Sequence, residues 1–281
     1  MNIGIVGAGT MGRGIAVACL SSSHTVVLVD VQQKALENAA TSIRSTLQGA
    51  VDRGKLPADV VDFAGSALTT STNVSALSSC EIVIEAIAER LDIKNALFQE
   101  LEPLVAPSCI IATNTSSISI TALARVLRDP TRFVGLHFFN PANIMKLVEV
   151  IEGRRTRPDV VLACVEFAKG LGKTPVVARD VPGFIVNRVA RNFYNESQRI
   201  VMEGAATIEQ VDRHMKSLGF RMGPFELMDL IGVDVNLDVT TSQWEQFYLE
   251  PRFQPSLLQR QYVDGGLHGK KTGRGFYDYE S

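Results

Sequence analysis

The stretch Asn2-Ile3-Gly4-Ile5-Val6-Gly7-Ala8-Gly9-Thr10-Met11-Gly12 decides the fold. Four residues of an apolar β pattern, Ile3 to Val6, run directly into Gly7-x-Gly9-x-x-Gly12, and a helical pattern follows from Met11 to Leu20. A lone G-x-G-x-x-G is a weak signal, but between a strand and a helix its amides and the helix N-terminus can cradle a pyrophosphate. Eighteen positions after Gly12, the second apolar run ends in Asp30, where a dinucleotide-binding unit needs a carboxylate for the adenosine ribose hydroxyls. An acid there repels a 2′-phosphate, so the expected cofactor is NAD, with Gly7, Gly9, Thr10, Met11, Gly12 and Asp30 around it. The structural alternatives are a tight turn without a ligand and, for Asp30, a helix N-cap before Val31 to Ala40.

Outward from this stretch, Val26 to Val29, Ile82 to Glu85, Ile110 to Ala112 and Phe133 to Leu136 read as further parallel strands alternating with helical patterns. Such alternation predicts a Rossmann-type doubly wound α/β sheet. Between Val31 and Gly65 the strand pattern stops. Leu36, Ala39, Ala40, Ile43, Leu47, Ala50 and Val51 recur at helical spacing, and Pro57 opens a second short helix, so an inserted helical hairpin is expected. Met145 to Ile151, a helix near Pro158 to Gly170 and a strand at Pro175 to Ala178 complete a first domain over 1–180. Arg179 to Gly183 reads as the linker. From 183 to 281 the patterns are nearly all helical, with Thr207 as an N-cap, and predict an all-α C-terminal domain.

Composition narrows the function classes. With 281 residues the chain is long enough for two cores, and a net charge of −2 provides no basic field for nucleic acid or an anionic membrane surface. No apolar run approaches the length of a membrane-spanning helix. The cysteines Cys19, Cys80, Cys109 and Cys164 are far apart, in apolar surroundings and without metal-ligand spacing; they read as reduced core residues, with no metal site and a cytoplasmic location expected.

Gly135-Leu136-His137-Phe138-Phe139-Asn140-Pro141 and Met145-Lys146-Leu147-Val148-Glu149-Val150 supply the acid–base chemistry. Histidine titrates near neutral pH, and a carboxylate accepting its second N–H fixes tautomer and orientation, so His137 and Glu149 are a candidate general-base dyad. The plainer alternatives are a structural histidine after a strand and a glutamate on a solvated strand face.

Taken with Glu85 to Glu89, Thr113-Asn114-Thr115-Ser116-Ser117, Pro182-Gly183-Phe184-Ile185-Val186-Asn187-Arg188, Met222 to Leu227 and Gly269 to Tyr277, these motifs resemble, over essentially the whole chain, the L-3-hydroxyacyl-CoA dehydrogenase family, including the bacterial 3-hydroxybutyryl-CoA type. The resemblance implies an NAD-dependent interconversion of (S)-3-hydroxyacyl-CoA, short-chain esters included, and 3-ketoacyl-CoA. His137 would be the base and Glu149 its orienting partner. Ser116 and Asn187 would contact the 3-oxygen and acyl region, with Asn140 shaping the same site, and Glu89, Lys94 and Asn114 would lie near the cofactor. The hairpin would hold coenzyme A through Thr46 and Arg53, two helical turns apart, where the family often has a hydroxyl residue and a lysine. A homodimer through the C-terminal domain is also implied. The alternatives are a free-hydroxy-acid dehydrogenase of the gulonate or carnitine type and a noncatalytic crystallin-like relative. Ser116 has a competing reading as a cap for a helix over Ile118 to Leu127.

Overall fold

The computed structural model describes residues 1–279 and divides into two compact units, Met1–Val181 and Pro182–Ser281. The first is built on an eight-stranded sheet. In chain order it comprises β1 (Asn2–Val6), α1 (Thr10–Ser21), β2 (Thr25–Val29), α2 (Gln33–Asp52), α3 (Asp59–Ala67), β3 (Leu68–Ser71), β4 (Ile82–Glu85), α4 (Leu91–Leu101), β5 (Ile110–Thr113), α5 (Ile120–Ala124), β6 (Phe133–Phe138), β7 (Leu147–Glu152), α6 (Pro158–Gly170) and β8 (Thr174–Arg179). The spatial order is β3-β2-β1-β4-β5-β6-β7-β8, every pair parallel except the antiparallel β6–β7. The expected doubly wound sheet is therefore present, and its strand order reverses between β1 and β4, where such sheets bind ligands beyond the carboxyl ends of their strands.

The helical hairpin is α2 and α3, which together form the crossover from β2 to β3. Leu36, Ala39, Ile43 and Leu47 form the buried stripe of α2, while its other faces are polar. The second helix starts at Asp59 rather than at Pro57. The edge strand β3, Leu-Thr-Thr-Ser, is absent from the expected elements because it is short, half exposed and only one residue in four is apolar, so no period shows.

Asp180 falls in the expected linker, yet it is a structural anchor. Its carboxylate accepts from the N–H groups of Ile120 (3.0 Å) and Thr121 (2.8 Å) and from the Ser119 hydroxyl, at the start of α5.

The second unit contains α7 (Val186–Met202), α8 (Ile208–Ser217), α9 (Pro224–Ile231), α10 (Val233–Gln246) and α11 (Leu257–Asp264). Tyr194, Val211, Phe225, Met228, Val233 and Phe276 form its apolar core. Thr207 caps α8 as expected, in a capping box with Gln210. Two buried carboxylates then fix long-range geometry. Asp212 accepts from the Phe225 and Glu226 N–H groups at the start of α9, and Asp229 accepts from those of Phe276 and Tyr277. The glycine-rich run after His268 is thereby held as a structured turn.

All four cysteines are buried free thiols. Burial pushes Cys19, Cys80 and Cys164 up to about 12 and Cys109 to about 11, leaving almost no thiolate at neutral pH. A thiol titration with a disulfide reagent should therefore detect no fast-reacting group in the native protein and all four after unfolding in urea. Rapid labelling before unfolding would contradict the burial.

Candidate active site

The glycine loop is closed by contacts that forbid side chains. Gly7 has φ +109°, and a Cβ on Gly12 would collide with the Gly7 carbonyl oxygen, so α1 can approach β1 only through glycine. A Cβ on Gly9 would meet only open space. No side chain caps the N-terminus of α1 and no acid lies in its first turn, so its N–H groups and dipole remain available to an anion. Asp30 accepts from the Ala8 N–H at 2.8 Å and the Gln32 N–H at 2.9 Å. It ties the loop to the end of β2 besides opening the turn into α2, which is more than a helix cap. This cradle fits the pyrophosphate and ribose of a dinucleotide. Thr10 and Met11 form the first turn of α1.

His137 lies within β6 rather than after it, and its cross-strand partner in β7 is Glu149. Directly opposed residues of an antiparallel pair project to the same face, so the register itself delivers the carboxylate to the ring. Nδ1 of His137 is 2.8 Å from Oε2 of Glu149, with His137 5% and Glu149 1% exposed. The solvated-face alternative for Glu149 is thereby removed. An ionised Glu149 can only accept, an arrangement that assigns the proton to Nδ1 and leaves Nε2 as the basic nitrogen.

At the end of β4 and the start of α4 the same unit holds a buried ionic network of which the sequence shows little. Lys94 Nζ is 2.5 Å from Glu85 and 3.1 Å from Glu89, and Lys94 and Glu85 are 1% and 0% exposed. Lys94 is therefore no solvated helix residue. Glu85 also accepts from the Thr113 hydroxyl and the Ile87 N–H. Glu89 accepts from the Thr115 hydroxyl, the Ser116 and Ser117 N–H groups and the Ser117 hydroxyl. Burial opposes its charged form, but the Lys94 ammonium and these hydrogen bonds outweigh burial and hold its carboxyl below the ordinary range. The available signal was Glu85 itself, a carboxylate ending the apolar run Ile82-Val83-Ile84.

Ser116 does not cap α5, because Ser119 performs that job through the Ala122 N–H. Asn114 accepts from the Phe138 N–H at 2.9 Å, which ties the end of β5 to the strand carrying His137. Asn140 is exposed and lines a groove with Thr10, Arg13 and Thr46. Thr46 and Arg53 line a neighbouring groove of about 270 Å³ with Lys55 and Lys173, although Arg53 is the residue after α2 rather than a helical position. Lys173, which was not anticipated, donates to the carbonyls of Ala142 (2.6 Å) and Met145 (2.9 Å) and holds the turn between β6 and β7. Asn187, half-buried in the first turn of α7, belongs to the second unit.

A doubly wound unit with a glycine loop that fits a pyrophosphate is the framework of a nicotinamide-dependent oxidoreductase, and the buried His–Glu pair is a candidate acid–base pair for one. The chain matches the 3-hydroxyacyl-CoA dehydrogenase NAD binding domain over residues 2–181 and the 3-hydroxyacyl-CoA dehydrogenase C-terminal domain over residues 183–279. It belongs to the 3-hydroxyacyl-CoA dehydrogenase family, and its cofactor is NAD. A 3-hydroxyadipyl-CoA dehydrogenase of Escherichia coli (strain K12) is 46% identical over 280 residues, 99% of this chain and 59% of that longer relative. A probable 3-hydroxybutyryl-CoA dehydrogenase of Deinococcus radiodurans is 40% identical over 99% of this chain and 100% of its own length. The crystal structure of (S)-3-hydroxybutyryl-CoA dehydrogenase from Ralstonia eutropha superimposes with a TM-score of 0.96 at 39% identity, covering 100% of this chain and 99% of that one.

Proposed function

We propose that the protein oxidises an (S)-3-hydroxyacyl-CoA to the 3-ketoacyl-CoA, reversibly, with His137 as the general base and short-chain esters among its substrates. The observation that carries this reading is the buried 2.8 Å contact between His137 and Glu149. Nε2 of neutral His137 takes the 3-hydroxyl proton, and the Glu149 carboxylate stabilises the imidazolium that forms. NAD, when bound, supplies the hydride acceptor. In the first unit Ser116, whose backbone Glu89 fixes, holds the 3-oxygen and Asn140 shapes the same site; the resemblance gives Asn187, in the second unit, a substrate contact of its own. Gly7 to Gly12 and Asp30 hold the dinucleotide, with Asn114, Glu89 and Lys94 near it. Thr46 and Arg53 receive the coenzyme A moiety.

The test is the loss of NADH absorbance with acetoacetyl-CoA, run beside NADPH and beside free acetoacetate. Turnover with NADH and the CoA ester supports the reading; turnover of free acetoacetate instead would move the protein to the free-hydroxy-acid class. Asp30→Ala should weaken NADH binding by on the order of tenfold or more through the lost ribose contacts, and NADPH binding much less. Equal losses for the two cofactors would mean that Asp30 acts only through the Ala8 N–H.

The second unit leaves Val189, Leu218, Leu230 and Leu257 more than half exposed. These supply apolar surface for a homodimer through this unit, which light scattering would detect. Four unpaired thiols suit a reducing compartment, the cytoplasm in this reading. The relatives' names carry different acyl groups, hydroxyadipyl and hydroxybutyryl, so the far end of the acyl chain is the open choice.

A further inference from the structure

The buried cations of the first unit are matched with carboxylates: Lys94 with Glu85 and Glu89, and Arg132 with Glu102 at 3.8 Å. Arg191, on α7 in the second unit, is not. It is 3% exposed, and its Nη1 donates to the Asn236 carbonyl (3.0 Å), Asn236 Oδ1 (3.3 Å) and the Thr240 hydroxyl (2.6 Å). Nε points to the Asn187 carbonyl at 3.4 Å, and the guanidinium lies 4.8 Å from the Tyr194 ring centroid. Every one of these partners is neutral. Among the described residues no carboxylate pairs with Arg191, and no acceptor meets its Nη2. Burying a cation without an anion is strongly unfavourable, so a fold that retains one gains from an anion supplied from elsewhere.

A second observation concerns the helix facing it. Asn236, Thr240 and Gln243 lie on one face of α10, at i, i+4 and i+7. Asn236 and Gln243 are each 2% exposed, yet Asn236 Nδ2 and Gln243 Nε2 have no acceptor and Gln243 Oε1 has no donor. The Gln243 amide packs against Gly183, just before α7, where a Cβ would come within 2.8 Å of its Oε1. Two neighbouring helices thus offer one guanidinium and two unmatched N–H donors. The acceptor they lack is planar and anionic, as a carboxylate is.

Asn187, one helical turn before Arg191, is the residue given a substrate contact above. Four residues advance a helix by about 6 Å, a distance that a few methylenes span. We propose that Arg191, assisted by Asn236 and Gln243, binds a carboxylate at the far end of the acyl chain, so that the preferred substrates are CoA half-esters of 3-hydroxy dicarboxylic acids. This deepens the proposed reaction and rests on it. Burial lowers the Arg191 pKa only to about 10, so the guanidinium remains charged at neutral pH.

The test compares kcat/KM for 3-oxoadipyl-CoA with that for 3-oxohexanoyl-CoA, esters of equal chain length that differ by a terminal carboxylate. The native enzyme should favour the diacid ester by roughly 10- to 100-fold, the range of a charge-assisted hydrogen bond. Arg191→Gln should bring that ratio close to one, and Arg191→Lys should retain part of it. A native ratio at or below one overturns the proposal whether or not the variants fold. So does an Arg191→Gln enzyme that loses the same factor on both esters, which would make the residue a staple between α7 and α10. Absence of NADH-dependent turnover of either ester overturns the proposed reaction itself, and the Arg191 assignment with it.

Discussion

Replacing His137 with glutamine should lower kcat roughly a hundredfold or more, the usual range for removing an acid–base group, while NADH binding stays nearly intact. Glutamine keeps much of the size of the imidazole and can still donate to Glu149, so the β6–β7 pairing that holds the site is preserved. What it lacks is a basic ring nitrogen to receive the substrate's proton. Steady-state oxidation of NADH by acetoacetyl-CoA measures the first quantity, and fluorescence titration with NADH the second. Turnover within a few-fold of the native rate would remove His137 from the role of base. A parallel collapse of NADH affinity would instead make it a structural residue of the sheet.

The second large effect is expected from Lys94→Met, and it is one of stability. The ammonium sits between Glu85 and Glu89. Without it, the fully buried Glu85 carboxylate keeps, among the described residues, only the Thr113 hydroxyl and the Ile87 N–H as partners of its side chain. Removing one member of a buried ion pair costs about 3–5 kcal/mol, much of it from the charge left behind. Urea denaturation should show the unfolding of the first unit shifted by that amount. The double variant Lys94→Met with Glu85→Gln should recover a large part of the loss, because no uncompensated charge then remains. A single-variant loss below about 1 kcal/mol would show that water reaches Glu85 and that the network is not the closed one seen here. Loosening Glu89 should also raise the KM for the CoA ester, since Glu89 holds the backbone of Ser116, the residue assigned to the 3-oxygen.

Both expectations concern residues visible in the sequence, but what makes them large was visible only in part. His137 and Glu149 could be proposed as partners from their chemistry alone. Their pairing depends on the β6–β7 register, and a slip of one residue would send the glutamate to the opposite face. Glu85 gave a weak sign by closing an apolar strand, whereas Lys94 resembled any lysine near a helix start. Nothing near Asp180 in the chain indicates that it holds α5, because its donors lie some sixty positions earlier. The edge strand β3 is not legible in the sequence for a simpler reason, its lack of apolar periodicity.

The amino-acid sequence by itself determined the doubly wound unit, its inserted hairpin, the helical second unit and the dinucleotide end, because each is written in contiguous residues: a strand, a glycine turn, a helix start, a periodic stripe. Only the tertiary structure decided which charges are buried together. Lys94 with Glu85 and Glu89, Lys173 on the Ala142 and Met145 carbonyls, and Arg191 among neutral acceptors all depend on pairings between segments distant in the chain. The strength of an ionic contact is set by its distance and by how much water is excluded around it, and neither quantity exists until the chain has folded.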